Sequence, residues 1–125
     1  MPKRIIIADD SGSVRSVLRT FLENADDLEV CAEASDGLQA LEQAEKCKPD
    51  LVVLDLSMPK MNGAEVASVL KKRMPHTKII LFTMYSENVG NSLTSALGVD
   101  AVLSKPNGMA QLVKCVRSLL AANLS

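Results

Sequence analysis

The sequence predicts an α/β fold: a doubly wound, open sheet of five parallel strands with helices on both faces. Two observations carry this expectation. Five short apolar runs recur along the 125-residue chain, and amphipathic helical patterns separate them. Most of these runs are nearly continuous in apolar residues, as strands buried on both faces must be. Right-handed crossovers between parallel strands then favour winding outward in both directions.

The elements succeed one another along the chain. "KRIIIA" (3–8) is a β-branched strand. Residues 13–25 place Val14, Val17, Leu18, Phe21 and Leu22 at the spacing of one helix face. "LEVCAEA" (28–34) alternates apolar and polar residues, as an edge or half-exposed strand does. Asp36 is the expected N-cap of a helix over about 37–47, with Leu38, Leu41 and Ala44 inward. "DLVVLD" (50–55) is a second buried strand. A helix over 62–73 comes next, with Val66, Val69 and Leu70 on one side. Asn62-Gly63 is a hairpin signal in isolation; a buried strand before it and a helical pattern after it make it a helix entry instead. "KIILFT" (78–83), a more polar helix near 87–97, "AVLS" (101–104) and a helix over about 108–121 complete the chain. The last helix carries Leu112, Val116, Leu119 and Leu120. Residues 1–125 are read as a single domain, with no linker, repeat or low-complexity segment.

Composition narrows the function. The net charge is -1 and aromatic residues make up 2%, which argues against direct nucleic-acid binding and against a membrane surface. The cysteines Cys31, Cys47 and Cys115 are odd in number with no closely spaced pair, so neither a disulfide framework nor a zinc site is expected. They read as small buried residues in a reducing compartment, and with no signal or spanning segment the expected location is cytoplasmic. His76, immediately after Pro75, reads as a surface residue and leaves little room for histidine-based catalysis.

The carboxyl ends of the strands carry the chemistry. The first strand ends in Asp9-Asp10, the third in Asp55, the fourth in Thr83, and the fifth leads into Lys105. Singly, each has a structural reading. Asp9, Asp10, Ser11 or Ser13 could cap the first helix, Asp55 a turn, and Lys105 could be a solvated loop residue. A doubly wound sheet, however, gathers the carboxyl ends of its strands at one edge, where such folds bind ligands. Three carboxylates there repel one another unless a cation joins them. Oxygen ligands without histidine suit a hard cation, and Mg²⁺ accepts one or two carboxylates while leaving places for phosphoryl oxygens. A carboxylate can act as nucleophile and form an aspartyl-phosphate. A lysine and a threonine then supply a positive charge and a hydrogen bond to the phosphoryl group.

With "ADD" (8–10), "LDLSMPKMNG" (54–63), "FT" (82–83) and "SKP" (104–106), the chain resembles the receiver domain of bacterial two-component response regulators over residues 3–121. "EASDGLQALE" and "PDLVVLDLSMPKMNG" most resemble receivers of the NarL/FixJ type, which usually precede a helix-turn-helix output domain. The resemblance implies a (βα)5 flavodoxin-like fold with strand order 2-1-3-4-5. It implies Asp55 as phosphoacceptor and Mg²⁺ held by Asp10 directly, by Asp9 mainly through water, by Asp55 and by the Ser57 backbone carbonyl. It implies Thr83 and Lys105 on the phosphoryl group, and a cis bond at Lys105–Pro106. The phosphodonor would be a sensor histidine kinase, with the domain catalysing its own phosphorylation and dephosphorylation rather than acting as a conventional enzyme. The responding face would be the fourth helix, fifth strand and last helix, acting on an output domain, an effector protein or a second copy in a homodimer. The Ser- and Asn-rich "SENVGNSLTSALG" (86–98) suits a mobile element there.

Two positions depart from the family pattern. Val102 stands where a tyrosine or phenylalanine is frequent, with Tyr85 as an alternative ring, and Met84 stands where a small residue is frequent. They leave open a receiver-like interaction module that is not phosphorylated. A phosphohydrolase of the haloacid-dehalogenase type is disfavoured: Ser57 occupies the place of its second aspartate, and the chain leaves no room for a cap domain.

Overall fold

Isoleucine and leucine runs bury both of their faces when helices cover a parallel sheet from above and below, and that is the arrangement observed. The computed structural model describes residues 2–83, 98–104 and 109–122. Strands β1 (Lys3–Ala8), β2 (Leu28–Ala34), β3 (Leu51–Asp55), β4 (Lys78–Thr83) and β5 (Ala101–Ser104) form one sheet in the order β2-β1-β3-β4-β5, and every pairing is parallel. The helices are α1 (Gly12–Glu23), α2 (Gly37–Cys47), α3 (Gly63–Arg73) and a last helix, Met109–Ala122. The helix expected near 87–97 lies outside the described residues, as do Met84, Tyr85 and the Lys105–Pro106 bond.

Side chains alternate across the sheet, so the apolar run of β1 feeds two cores. Ile5 and Ile7 join Leu18 and Leu22 of α1 and Leu112, Val116 and Leu120 of the last helix. Ile6 and Ala8 join Ala40 and Ala44 of α2 and Val66, Ala67 and Leu70 of α3. Both cores also draw on β3 and β4, through Val53 and Ile80 on one side and Val52 and Ile79 on the other. No described helix is long and apolar enough to cross a membrane.

Three residues expected to face inward do not. Val17 and Phe21 of α1 are 43% and 44% exposed, and Leu38 of α2 is 47% exposed. The apolar stripe of α1 is wider than the surface that covers it: Leu18 and Leu22 fill the seam against the sheet and the last helix, leaving Val17 and Phe21 on its flank. In α2 the small Ala40 and Ala44 take the buried positions, and Leu38 sits outside them in the first turn.

The cysteines also differ from expectation. All three are free but half-buried. The pairing of β1 with β2 slips between Ile5↔Val30 and Ile6↔Ala32, so Cys31 is the extra residue of a β-bulge. Its backbone carbonyl accepts from the Cys47 thiol at 4.0 Å, which places two distant cysteines side by side. Burial, reinforced by that neighbour, pushes the Cys31 thiol up to about 11, so it stays protonated at neutral pH. His76 is exposed, as expected.

The amino ends of the strands are laced by carboxylates with matched donors. Asp50 accepts from the Arg4 backbone N–H at 2.8 Å, and Asp100 accepts from the Ile79 N–H and the Lys71 ammonium, each at 2.8 Å. These contacts fix strand height at the end opposite the aspartates of β1 and β3. The two-core packing predicts a sharp contrast within α1. Leu22→Ala should lower unfolding free energy by about 2–5 kcal/mol, because it opens a cavity in a closed core. Val17→Ala should stay within about 0.5 kcal/mol. Urea unfolding monitored by circular dichroism measures both.

Candidate functional site

Register decides what meets at the carboxyl edge. Ala8 pairs with Leu54 across the central β1–β3 pair, so the next residues, Asp9 and Asp55, emerge abreast. Asp9 and Asp55 are buried and Asp10 is exposed. One carboxylate oxygen from each of Asp9, Asp10 and Asp55 lies within 4.8 Å of the other two. The expected acidic cluster is therefore assembled. It consists of oxygen donors alone, the chemistry of a Mg²⁺ site rather than of a soft-metal site.

The aspartates do not cap α1. Ser11 does so, its hydroxyl accepting from the Val14 N–H at 3.3 Å. Asp9 instead accepts from the Ser11 N–H at 2.9 Å through its side chain. Its own N–H donates to the Ala34 carbonyl at 3.0 Å. Arg15, one turn into α1, donates to the Asp9 carbonyl oxygen at 2.6 Å and reaches Glu33 of β2 at 3.1 Å. Both backbone groups of Asp9 are thus held, which sets its side chain.

Thr83 closes β4 one residue beyond Phe82, the partner of Asp55, and pairs through its backbone with Ser104 of β5. Its strand end therefore stands on the same edge as the acidic cluster. Lys105 lies outside the described residues. Ser57 is exposed in the loop after Asp55 and lines an open depression of about 560 Å³ with Asp10, Met58, Pro59 and Asn62. Through Asp10, that hollow opens the outer side of the cluster to solvent, while Asp9 and Asp55 stay buried. Val102 is half-buried in β5 and packs beneath the edge against the core shared with α2 and α3.

The loop from β3 to α3 is held on two sides. At its far end α3 opens with a reciprocal cap: Asn62 accepts from the Glu65 N–H at 2.9 Å, and Glu65 accepts from the Asn62 N–H at 3.2 Å. Gly63 donates its N–H to the Leu56 carbonyl at 2.9 Å, and a Cβ there would lie 2.3 Å from the Asp55 carbonyl oxygen. The helix start thus packs directly on the backbone of Asp55. On the other side the loop meets the start of α2. Gly37 donates to the Pro59 carbonyl at 3.4 Å, and a Cβ on Gly37 would lie 2.1 Å from the Met61 carbonyl oxygen. Asp36 accepts from the Gln39 N–H at 2.9 Å and pairs with Lys60 at 3.5 Å. Sequence reasoning reads Asp36 and Gly63 only as parts of helix starts and passes over Arg15, Gly37 and Lys60. The one local signal for Gly37 is its place after a capping aspartate.

Known proteins share this architecture. The family described as response regulator receiver domain matches residues 5–117. An uncharacterized transcriptional regulatory protein of Bacillus subtilis, YhcZ, is 41% identical over 111 residues, covering 89% of this chain and 52% of that protein. A protein-glutamate methylesterase/protein-glutamine glutaminase of Pyrococcus horikoshii is 36% identical over 106 residues, covering 83% of this chain and 28% of that protein. The chain thus spans between about a quarter and a half of the length of these curated relatives. Among solved structures, the signal receiver domain of a Mycobacterium tuberculosis response regulator assigned as NarL superposes with a TM-score of 0.88 at 28% identity, covering 96% of this chain and 97% of that one.

The tight packing around the loop can be tested at Gly63 and at Asp36. Gly63→Ala forces the Asp55 backbone to shift and should destabilise the chain by about 1–3 kcal/mol, read from urea unfolding. The Asp36 carboxyl is held below its ordinary 3.8, first by the Gln39 N–H and further by Lys60. A lowered folded value stabilises the fold fully above the ordinary one and is lost as pH falls below it. The unfolding midpoints of wild type and Asp36→Asn should therefore converge progressively as the pH falls through the ordinary 3.8 and further below it.

Proposed function

We propose, from the premise that this chain belongs to the response regulator receiver domain family, that it is a phosphorylation-dependent switch with Asp55 as phosphoacceptor. The observation that carries the proposal is the meeting of Asp9, Asp10 and Asp55 within 4.8 Å at the ends of the two central strands. An Asp55 carboxylate oxygen attacks the phosphorus of a phosphohistidine on a sensor kinase. The P–N bond breaks, and the imidazole leaves with its electron pair. Asp10 would hold Mg²⁺ directly and Asp9 mainly through water, with Asp55 and the Ser57 carbonyl completing the protein's share. When bound, the ion neutralises the carboxylates and the phosphoryl oxygens. Thr83 donates a hydrogen bond to the phosphoryl group, and Lys105 supplies a positive charge. Such transfers depend chiefly on positioning and electrostatics, which suits a site built from strand ends.

A phosphoryl group adds about -1.5 to -2 units of charge. That charge shifts the equilibrium of the face formed by the segment near 87–97, β5 and the last helix. The response passes to an output domain or effector, or to a second copy of the chain across that face. Transcriptional control is the proposed output, in keeping with the regulatory relative in B. subtilis, and the proposed setting is the cytoplasm. Since Val102 occupies the place of the frequent aromatic residue, the response does not run through a swinging ring there.

Mass spectrometry after incubation with acetyl phosphate and Mg²⁺ tests the core of this. Wild type should gain one phosphoryl group, and Asp55→Asn or chelation of the metal should abolish the gain. No gain with acetyl phosphate or a cognate kinase would refute it and favour an interaction module that works unphosphorylated.

A further inference from the structure

The loop that carries Ser57 contains a conformation its sequence does not favour. Lys60 has φ 67°, and the Met61 N–H donates back to the Pro59 carbonyl at 2.7 Å. A hydrogen bond across a single residue with positive φ is a γ-turn of the rare, strained kind. Glycine or asparagine would accept that backbone readily; lysine has no such tolerance. A strained residue persists where its surroundings over-determine it, and such residues gather near functional sites.

The surroundings here are the first residues of α2. The Gly37 N–H donates to the same Pro59 carbonyl at 3.4 Å, and the absence of a side chain on Gly37 lets Met61 approach. Asp36 binds in two directions. Its Oδ1 caps α2 through the Gln39 N–H, and its Oδ2 meets the Lys60 ammonium at 3.5 Å. The Asp36 side chain is only 8% exposed, whereas that of Lys60 is 61% exposed. The carboxylate is thus the buried half of the clasp, held by the Gln39 N–H, and the lysine the exposed half.

We propose that Asp36 and Lys60 are positioning residues for the acidic site: their ion pair holds the strained turn, and through it the Ser57 segment, at the height at which the Asp9–Asp10–Asp55 cluster takes its cation. The inference rests on the reading of that cluster as a Mg²⁺ site. Its physical content is preorganisation. With the clasp closed, the loop is ordered when the protein folds. With the clasp open, the turn relaxes, and the loop must be ordered again at each binding event, which weakens binding without removing any ligand.

The test uses Asp36→Asn, Lys60→Met, the double variant and Lys60→Arg. Asparagine caps a helix as well as aspartate does, so Asp36→Asn removes the charge and keeps α2. Mg²⁺ affinity of the unphosphorylated chain is measured by calorimetry, and protection of the Gly37 amide by hydrogen exchange. Each neutral variant should weaken Mg²⁺ binding about threefold or more and speed Gly37 exchange. The double variant should be no weaker than either single one, and Lys60→Arg should bind as wild type does. Unchanged Mg²⁺ affinity with a lowered unfolding midpoint would mean a merely structural pair and would overturn the proposal, as would additive effects in the double variant. A wild-type chain that binds no Mg²⁺ would overturn it together with the reading on which it rests, an outcome distinct from both.

Discussion

The parallel pairing of β1 with β3 sets Ala8 beside Leu54 and so delivers Asp9 and Asp55 to the same height. A shift of one residue would turn every β1 side chain to the opposite face. It would also exchange the members of the two cores, since Ile5 and Ile7 feed one and Ile6 and Ala8 the other. Core packing and site geometry are therefore one constraint. The burial that drives folding fixes the register, and the register places the carboxylates.

Bringing three carboxylates within 4.8 Å opposes folding by repulsion, a cost larger in a low dielectric than in water. The surrounding structure answers by immobilising backbone around the cluster. Arg15 and the Ala34 carbonyl hold the main chain of Asp9, and Gly63 packs against the main chain of Asp55. Asp10 lines an open hollow, so the outer edge of the cluster faces solvent while Asp9 and Asp55 stay buried. The opposite ends of the strands show the other solution: Asp50 and Asp100 meet backbone donors and a lysine at 2.8 Å. Like residues thus serve different ends according to which edge of the sheet they occupy.

The loop after Asp55 joins this edge to α2 and α3. Its far end is fixed by the Asn62–Glu65 cap and its middle by Gly37, Asp36 and Lys60. Two helices that pack on the same face of the sheet therefore share control of one short segment. Of the exposed apolar side chains, Val17 and Phe21 lie on α1, whereas Leu38 is in the first turn of α2, next to the Gly37 that meets this loop.

Much of this was legible in the chain itself. Apolar runs separated by helical spacing specified the parallel sheet, and the polarity change after "III" and "VVL" marked Asp9, Asp10 and Asp55. Asp36 and Asn62-Gly63 announced helix starts, because capping acts over three or four residues and so leaves a local pattern; the reciprocal Asn62–Glu65 cap itself emerged only in the structure. Tertiary structure alone decided which apolar residues were covered, since a helix of given periodicity does not specify how much of its stripe a neighbour reaches. It also decided the bulge at Cys31, the grip of Arg15 on Asp9 and the clasp of Asp36 on Lys60. The bulge and the clasp depend on residues far apart in the chain, and the Arg15 grip on how α1 leaves the end of β1; spacing along a sequence encodes periodicity, not proximity.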